Sequence, residues 1–264
     1  MKKKYPWLFC ALLTLSVSAI SWKPSTHIKQ YNNLNNILSK DFSGNEQLEK
    51  FVENIYQSAQ LQQAGLDLQV FKKGLTGFIN LKIAKKIPAN NAILTIVDFS
   101  KSSCEKRMWI INVIEKSLIL NTLVAHGQAS GEDLANHFSD EVDSHASSLG
   151  FYLTDDVYYG KNGRSLRLDG LDPGFNTHAR ERAIVIHAAD YVSPTTIDHL
   201  GFLGRSFGCP AVSPEVADKV INLIKRKTVV FIYGNDNSYN SKYLNEDLAE
   251  NFISKVSADA LANL

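Results

Sequence analysis

Gly204-Arg205-Ser206-Phe207-Gly208-Cys209-Pro210-Ala211-Val212 is the stretch on which the reading of this chain turns, together with Ala183-Ile184-Val185-Ile186-His187 before it. A thiol is a strong nucleophile only as the thiolate, so a cysteine that does chemistry needs a nearby base or cation and an open, sharply turned backbone. Gly208 and Pro210 supply the turn. His187, at the end of an apolar run, is the candidate base for a cysteine acyltransferase.

Outward from this pair, short runs of β-branched and aromatic residues separated by turn residues fill residues 92–234. They cover 93–99, 108–114, 117–124, 150–153, 164–168, 183–187 and 229–233. Seven or more such strands predict a mainly β fold of sandwich or barrel type. One helix follows the cysteine: Ser213 suits the N-cap, Pro214 the first turn, and Val216, Ala217, Val220, Ile221 and Ile224 make an apolar face. Its N-terminus, with a partial positive charge, favours a thiolate nearby.

The flanks have a different period. Leu48, Phe51, Val52, Ile55 and Tyr56, then Leu66, Val70, Phe71, Leu75, Phe78 and Ile79, recur at helical spacing, so residues 20–88 read as a helical N-terminal region. Residues 89–234 form the catalytic unit. Residues 235–264 are a polar tail with a weaker helical pattern in Leu248, Phe252, Ile253, Val256 and Leu261.

The N-terminus reads as an export signal: Lys2 to Lys4, an apolar stretch Trp7 to Val17, and small residues Val17-Ser18-Ala19 predict cleavage after Ala19. The apolar stretch is short for a bilayer core of about 30 Å, so no stable membrane span is expected after cleavage. Cys10 leaves with the signal, and the mature protein is expected in the periplasm or cell envelope. With 264 residues, 44% hydrophobic, the chain can bury a full core. Its formal net charge of +1 gives no basic face for nucleic acid.

Competing readings attach to each residue. Cys104 and Cys209 in an exported chain can simply form a disulfide. Gly204 to Gly208 match the G-x-S-x-G elbow, which would make Ser206 a hydrolase nucleophile, but there the base follows the serine, and the last histidine here is His199. The other histidines show no metal-ligand spacing, no P-loop or dinucleotide fingerprint is present, and neither a metal nor a cofactor is implied. His187 alone reads equally well as a core histidine, and His126 in Val124-Ala125-His126-Gly127 either lines the same cleft or satisfies a turn.

The strand ending at His187, the run Arg205 to Val212, and the accessory stretches Val124 to Gly127, Ser147 to Phe151 and Leu168 to Leu171 together resemble the murein L,D-transpeptidase catalytic domain family, in the branch with an Arg-Ser-x-Gly-Cys-Pro-Ala motif. The resemblance spans roughly Leu75 to Tyr233. It implies a β-sandwich-like catalytic fold with Cys209 as nucleophile and His187 as base. It places Gly208 and Ser206 where backbone N–H groups around the cysteine meet an oxyanion.

Two positions depart from the family pattern. Phe207 stands where many members carry a second histidine, and Pro210-Ala211-Val212 lacks the arginine often found after the cysteine. Arg205, or Arg164 and Arg167 in the strand before, are candidate replacements for that cation, and Tyr191 follows the histidine as a residue shaping the cleft. The implied partners are peptidoglycan tetrapeptide stems, attacked at the diamino acid to form a thioester that a second stem's amine resolves. Water in that role would make a carboxypeptidase, and loss of turnover would leave a cell-wall-binding protein.

Overall fold

The computed structural model describes residues 44–255. The expected export segment, residues 1–19 with Cys10, lies outside them. Two helices come first, α1 (Gly44–Ser58) and α2 (Leu68–Ile83). Asp67 caps α2 by accepting hydrogen bonds from the N–H groups of Gln69 and Val70. Eight strands follow: β1 (Ile93–Asp98), β2 (Met108–Asn112), β3 (Ser117–Thr122), β4 (Gly150–Gly160), β5 (Gly163–Gly170), β6 (Val185–Ala188), β7 (Ala211–Val212) and β8 (Val229–Tyr233). Helices α3 (Pro194–Leu200) and α4 (Pro214–Ile224) lie between β6 and β8, and α5 (Glu246–Ile253) ends the described chain.

The strands make one sheet in the order β3-β2-β1-β8-β4-β5-β6-β7. The β1–β8 and β6–β7 pairs are parallel and the rest antiparallel. The chain leaving β3 then bridges the opposite edge, Ala125 to Ala211 and Gly127 to Ser206. The expected sandwich-like layering therefore takes the form of a single sheet that curls until its edges meet.

Period-2 alternation gives the sheet two apolar faces. Leu94, Ile96, Phe151, Leu153, Val229 and Phe231 share a cluster with α1, α2 and α5. Val97, Ile110, Tyr152, Leu166, Leu168, Ile186, Val230 and Ile232 share another with α4. Phe151 and Phe231 stack at 4.4 Å and are fully buried, worth roughly 1.5–3 kcal/mol each in burial alone. Gly77 of α2 permits that packing: a Cβ there would stand 2.0 Å from the Phe151 ring.

As far as residue 255 the tail docks on the domain. Asn80 of α2 donates to the carbonyls of Tyr243 and Asn245 at 2.8 Å each, and the Tyr239 and Ser241 hydroxyls donate to buried Asp172. Two elements escaped the sequence reading: β7, too short for a periodicity, and α3, whose Ser193-Pro194 start is followed by no apolar stripe. Ser213 stands at the N-cap of α4 as expected, but its side chain caps nothing.

Register decides which residues share the site's face. Leu153, on the helix-covered face, pairs with Asp169, Arg167 with Val185, and Ser165 with His187. The cluster beneath α1, α2 and α5 draws no buried member from β5, β6 or β7. That face therefore continues past the helices as the polar row carrying Asp169, Arg167, Ser165 and His187. Among the described residues no helix is long and apolar enough to cross a membrane.

Candidate active site around Cys209

Cys209 immediately precedes Pro210 and the two-residue strand β7, which runs parallel to β6 with His187 opposite Ala211. Its sulfur rests against the start of β6: Val185 donates its N–H to Sγ at 3.5 Å, and the thiol faces the Ala183 carbonyl at 3.7 Å. His187 stands two residues further along the same strand, on the same face as Val185. Both cysteines are free, Cys104 lying 3.2 Å from the Gly201 carbonyl oxygen, so the disulfide reading fails.

The imidazole is oriented by its own strand. Nδ1 lies 2.8 Å from the Ala188 carbonyl oxygen, and because a carbonyl only accepts, Nδ1 carries the proton. Nε2 of the neutral ring is left with its lone pair free and forms no hydrogen bond, to Sγ or to any other described residue. Burial pushes the His187 pKa below its ordinary value, against the opposing pull of the Ala188 carbonyl.

Burial also pushes the Cys209 thiol up, with the Val185 N–H and the Arg182 guanidinium offsetting part of the rise. Cys209 keeps some accessible surface, but the atoms packed around its sulfur decide the direction. The resting pair is thus a thiol and a neutral imidazole. The thiolate expected from the α4 N-terminus is outweighed by desolvation.

The cysteine loop is braced from within. Ser206 Oγ lies 2.7 Å from the Cys209 carbonyl oxygen, to which it donates, and accepts the Gly208 N–H at 3.0 Å. The Ser206 N–H donates to the His126 carbonyl, and Gln128 N–H donates to the Ser206 carbonyl. Gly208 has φ +113°, and a Cβ on it would stand 2.7 Å from the Ala146 carbonyl oxygen. The expectation that Gly208 and Ser206 present N–H groups to an oxyanion is therefore corrected: both are already bonded inside the loop. The Cys209 N–H makes no hydrogen bond among the described residues.

His126 does not line the cleft. Its ring is 1% exposed, with Nδ1 2.6 Å from Arg107 Nη2, and burial followed by the Arg107 charge lowers its pKa to about 4. Arg205 donates to the Gly131 carbonyl at 3.1 Å and lies over the Phe202 ring, so it too braces a loop. Tyr191 is near the thiol: burial, then the Cys209 charge, raises its pKa to about 12. Phe207 is 65% exposed and stacks on His145 at 4.3 Å with 13° between the rings.

Three contributors were not anticipated. Arg182, rather than Arg205 or Arg164, is the cation that acts on the Cys209 sulfur, and it also donates to the Ser139 and Ala146 carbonyls and to the Ser144 and Ser148 hydroxyls. Its polar run, Ala179-Arg180-Glu181-Arg182, carries no motif. His145 lies in an unpatterned loop, and the Ala188 carbonyl is backbone, invisible to side-chain logic. Among the described residues no three His, Cys, Asp or Glu side chains gather as metal ligands would.

The family model for the L,D-transpeptidase catalytic domain matches residues 62–233. The solved L,D-transpeptidase from Mycobacterium smegmatis is similar at 11% identity and a TM-score of 0.33, over 53% of this chain and 58% of that one. An L,D-transpeptidase from Stackebrandtia nassauensis is similar at 14% identity and a TM-score of 0.34, over 71% and 78%. This chain thus spans under two thirds of the first of these. No curated protein shows a significant match.

Proposed function

From the premise that this chain belongs to the L,D-transpeptidase catalytic domain family, we propose that it is a cysteine peptidyltransferase acting on peptidoglycan tetrapeptide stems. The observation that carries the proposal is the locked tautomer of His187, which leaves a free Nε2 lone pair on the strand against which the Cys209 sulfur rests. A thiol with a raised pKa needs that base. In a bound stem the imidazole would take the thiol proton as sulfur closes on the carbonyl.

Sγ bonds to the carbonyl carbon of the diamino acid, whose bond to the terminal D-alanine nitrogen breaks. His187 returns the proton to that nitrogen, D-alanine departs, and a thioester remains on Cys209. The unbonded Cys209 N–H is the donor proposed for the developing oxyanion. The amine of a second stem then attacks the thioester, giving its proton through His187 to the departing sulfur. A cross-link forms and the thiol is restored. Water in place of the amine yields a carboxypeptidase.

We place the reaction in the cell envelope, with residues 1–19 as the export segment. Incubating the protein with purified tetrapeptide muropeptides and reading the products by mass spectrometry tests the proposal. Cross-linked dimers, or loss of D-alanine by hydrolysis, should vanish in Cys209→Ala and His187→Ala. Activity that survives Cys209→Ala would sink the mechanism.

A further inference from the structure

Alternation puts Arg164 and Arg167 on opposite faces of β5, and the strand pairing tells which of them shares the face of His187. Tyr158, Ser165, His187 and Ala211 lie in one register row across β4, β5, β6 and β7, so their side chains leave the sheet on the same face. Arg167, two residues from Ser165 and paired with Val185, two residues from His187, belongs to that face also. Arg164 faces the other way and is bound to Asp218 and Asn222 of α4.

Arg167 is also the uncommitted cation there. Its guanidinium lies over the Tyr158 ring at 4.1 Å and makes no hydrogen bond or ion pair among the described residues. The nearby acids are compensated without it, since Asp155 and Asp169 pair with both Arg180 and Lys227. Arg182 and Arg205 are held by carbonyls and hydroxyls. A guanidinium lying over an aromatic ring with no other partner has its N–H groups available for a bidentate carboxylate. Tyr158 is two strand spacings from His187 in the row, about 10 Å.

We propose that Arg167, seated on Tyr158, is the specificity residue that binds a carboxylate of the acyl-donor stem while its scissile carbonyl lies at Cys209. This rests on the peptidoglycan-stem reading above. A tetrapeptide stem offers three such carboxylates, on the γ-linked glutamyl residue, on the diamino acid side chain and at the terminal D-alanine.

The test uses the full chain and four synthetic stems, one unmodified and three with a single carboxylate amidated. Amidation of one position should lower wild-type kcat/KM by about 10-fold or more, chiefly through KM, in keeping with the loss of a charge-assisted bidentate pair. Arg167→Ala should show the same loss on the unmodified stem, and amidation at that position should cost it nothing further. Arg167→Lys should recover part of the preference. Arg164→Ala, on the other face, should keep the wild-type pattern, with thermal midpoints reporting on folding.

Calorimetric binding of the same stems to Cys209→Ala separates the two proposals. Discrimination in binding that is lost in Cys209→Ala/Arg167→Ala supports the subsite even if no turnover is found. An Arg167→Ala variant that discriminates among the stems as wild type does, or wild type that binds all four alike, overturns it.

Discussion

The carbonyl oxygen of Ala188 lies 2.8 Å from Nδ1 of His187, its neighbour in β6, so the proposed base is oriented by main chain that no side-chain substitution removes. Combined with the raised thiol pKa of Cys209, this gives a pair that rests uncharged. The rate of Cys209 alkylation by iodoacetamide should therefore climb with pH through a midpoint above the ordinary thiol value of 9.0. A midpoint near or below neutrality would mean a preformed thiolate and imidazolium, and the opposite electrostatics.

His126 ties stability to pH. Its folded value near 4 lies below the ordinary 6.5 because burial disfavours the charged ring and, beyond that, protonation would place a second charge beside buried Arg107. As pH falls from 6.5 towards 4 the unfolded chain binds the proton first, so stability present above pH 6.5 is lost through that window, by up to about 3 kcal/mol. Thermal melts across the window should show the decline, and His126→Gln should flatten it. An unchanged slope in that variant would assign the effect elsewhere.

Gly77→Ala should destabilise the whole domain. A Cβ placed 2.0 Å from the Phe151 ring forces α2 off the sheet or the ring out of its stack on Phe231. Overpacking of this kind costs about 1–3 kcal/mol, often more where the neighbours are rigid. Urea denaturation followed by tryptophan fluorescence reads it, because Trp109 donates from the same face to the Ala64 carbonyl.

Gly208→Ala should spare the fold and damage the site. A side chain at φ +113°, pressed within 2.7 Å of the Ala146 carbonyl oxygen, displaces the turn that sets the Cys209 sulfur against β6. Alkylation and turnover should both fall while the thermal midpoint moves little. A variant with wild-type turnover would show that the turn tolerates another path.

Much of the scaffold was legible because it is written in periods. Val229 to Tyr233 and Ile93 to Val97 are apolar but for Thr95, and prove to be a parallel pair inside the sheet, buried on both sides over most of their length. The placement of Cys209 in a turn and of His187 in a strand beside it was legible too, and the structure brings the two segments together. His126 misled because a strand-end histidine looks alike whether it faces a cleft or a buried guanidinium. Alternation along β5 sets Arg164 and Arg167 on opposite faces, but which of those faces carries His187 is told only by register.

The parallel pairing of β1 with β8 has a temporal meaning. Leu94 meets Val229 and Asp98 meets Tyr233, and the segments carrying His187 and Cys209 lie in the loop those contacts close. Contacts between such distant segments form late, because the loop entropy must be overcome before they stabilise anything. A chain emerging from a ribosome would hold Cys209, the proposed nucleophile, and His187 unassembled until residue 233 had arrived, so the last strand sets when the site can come together.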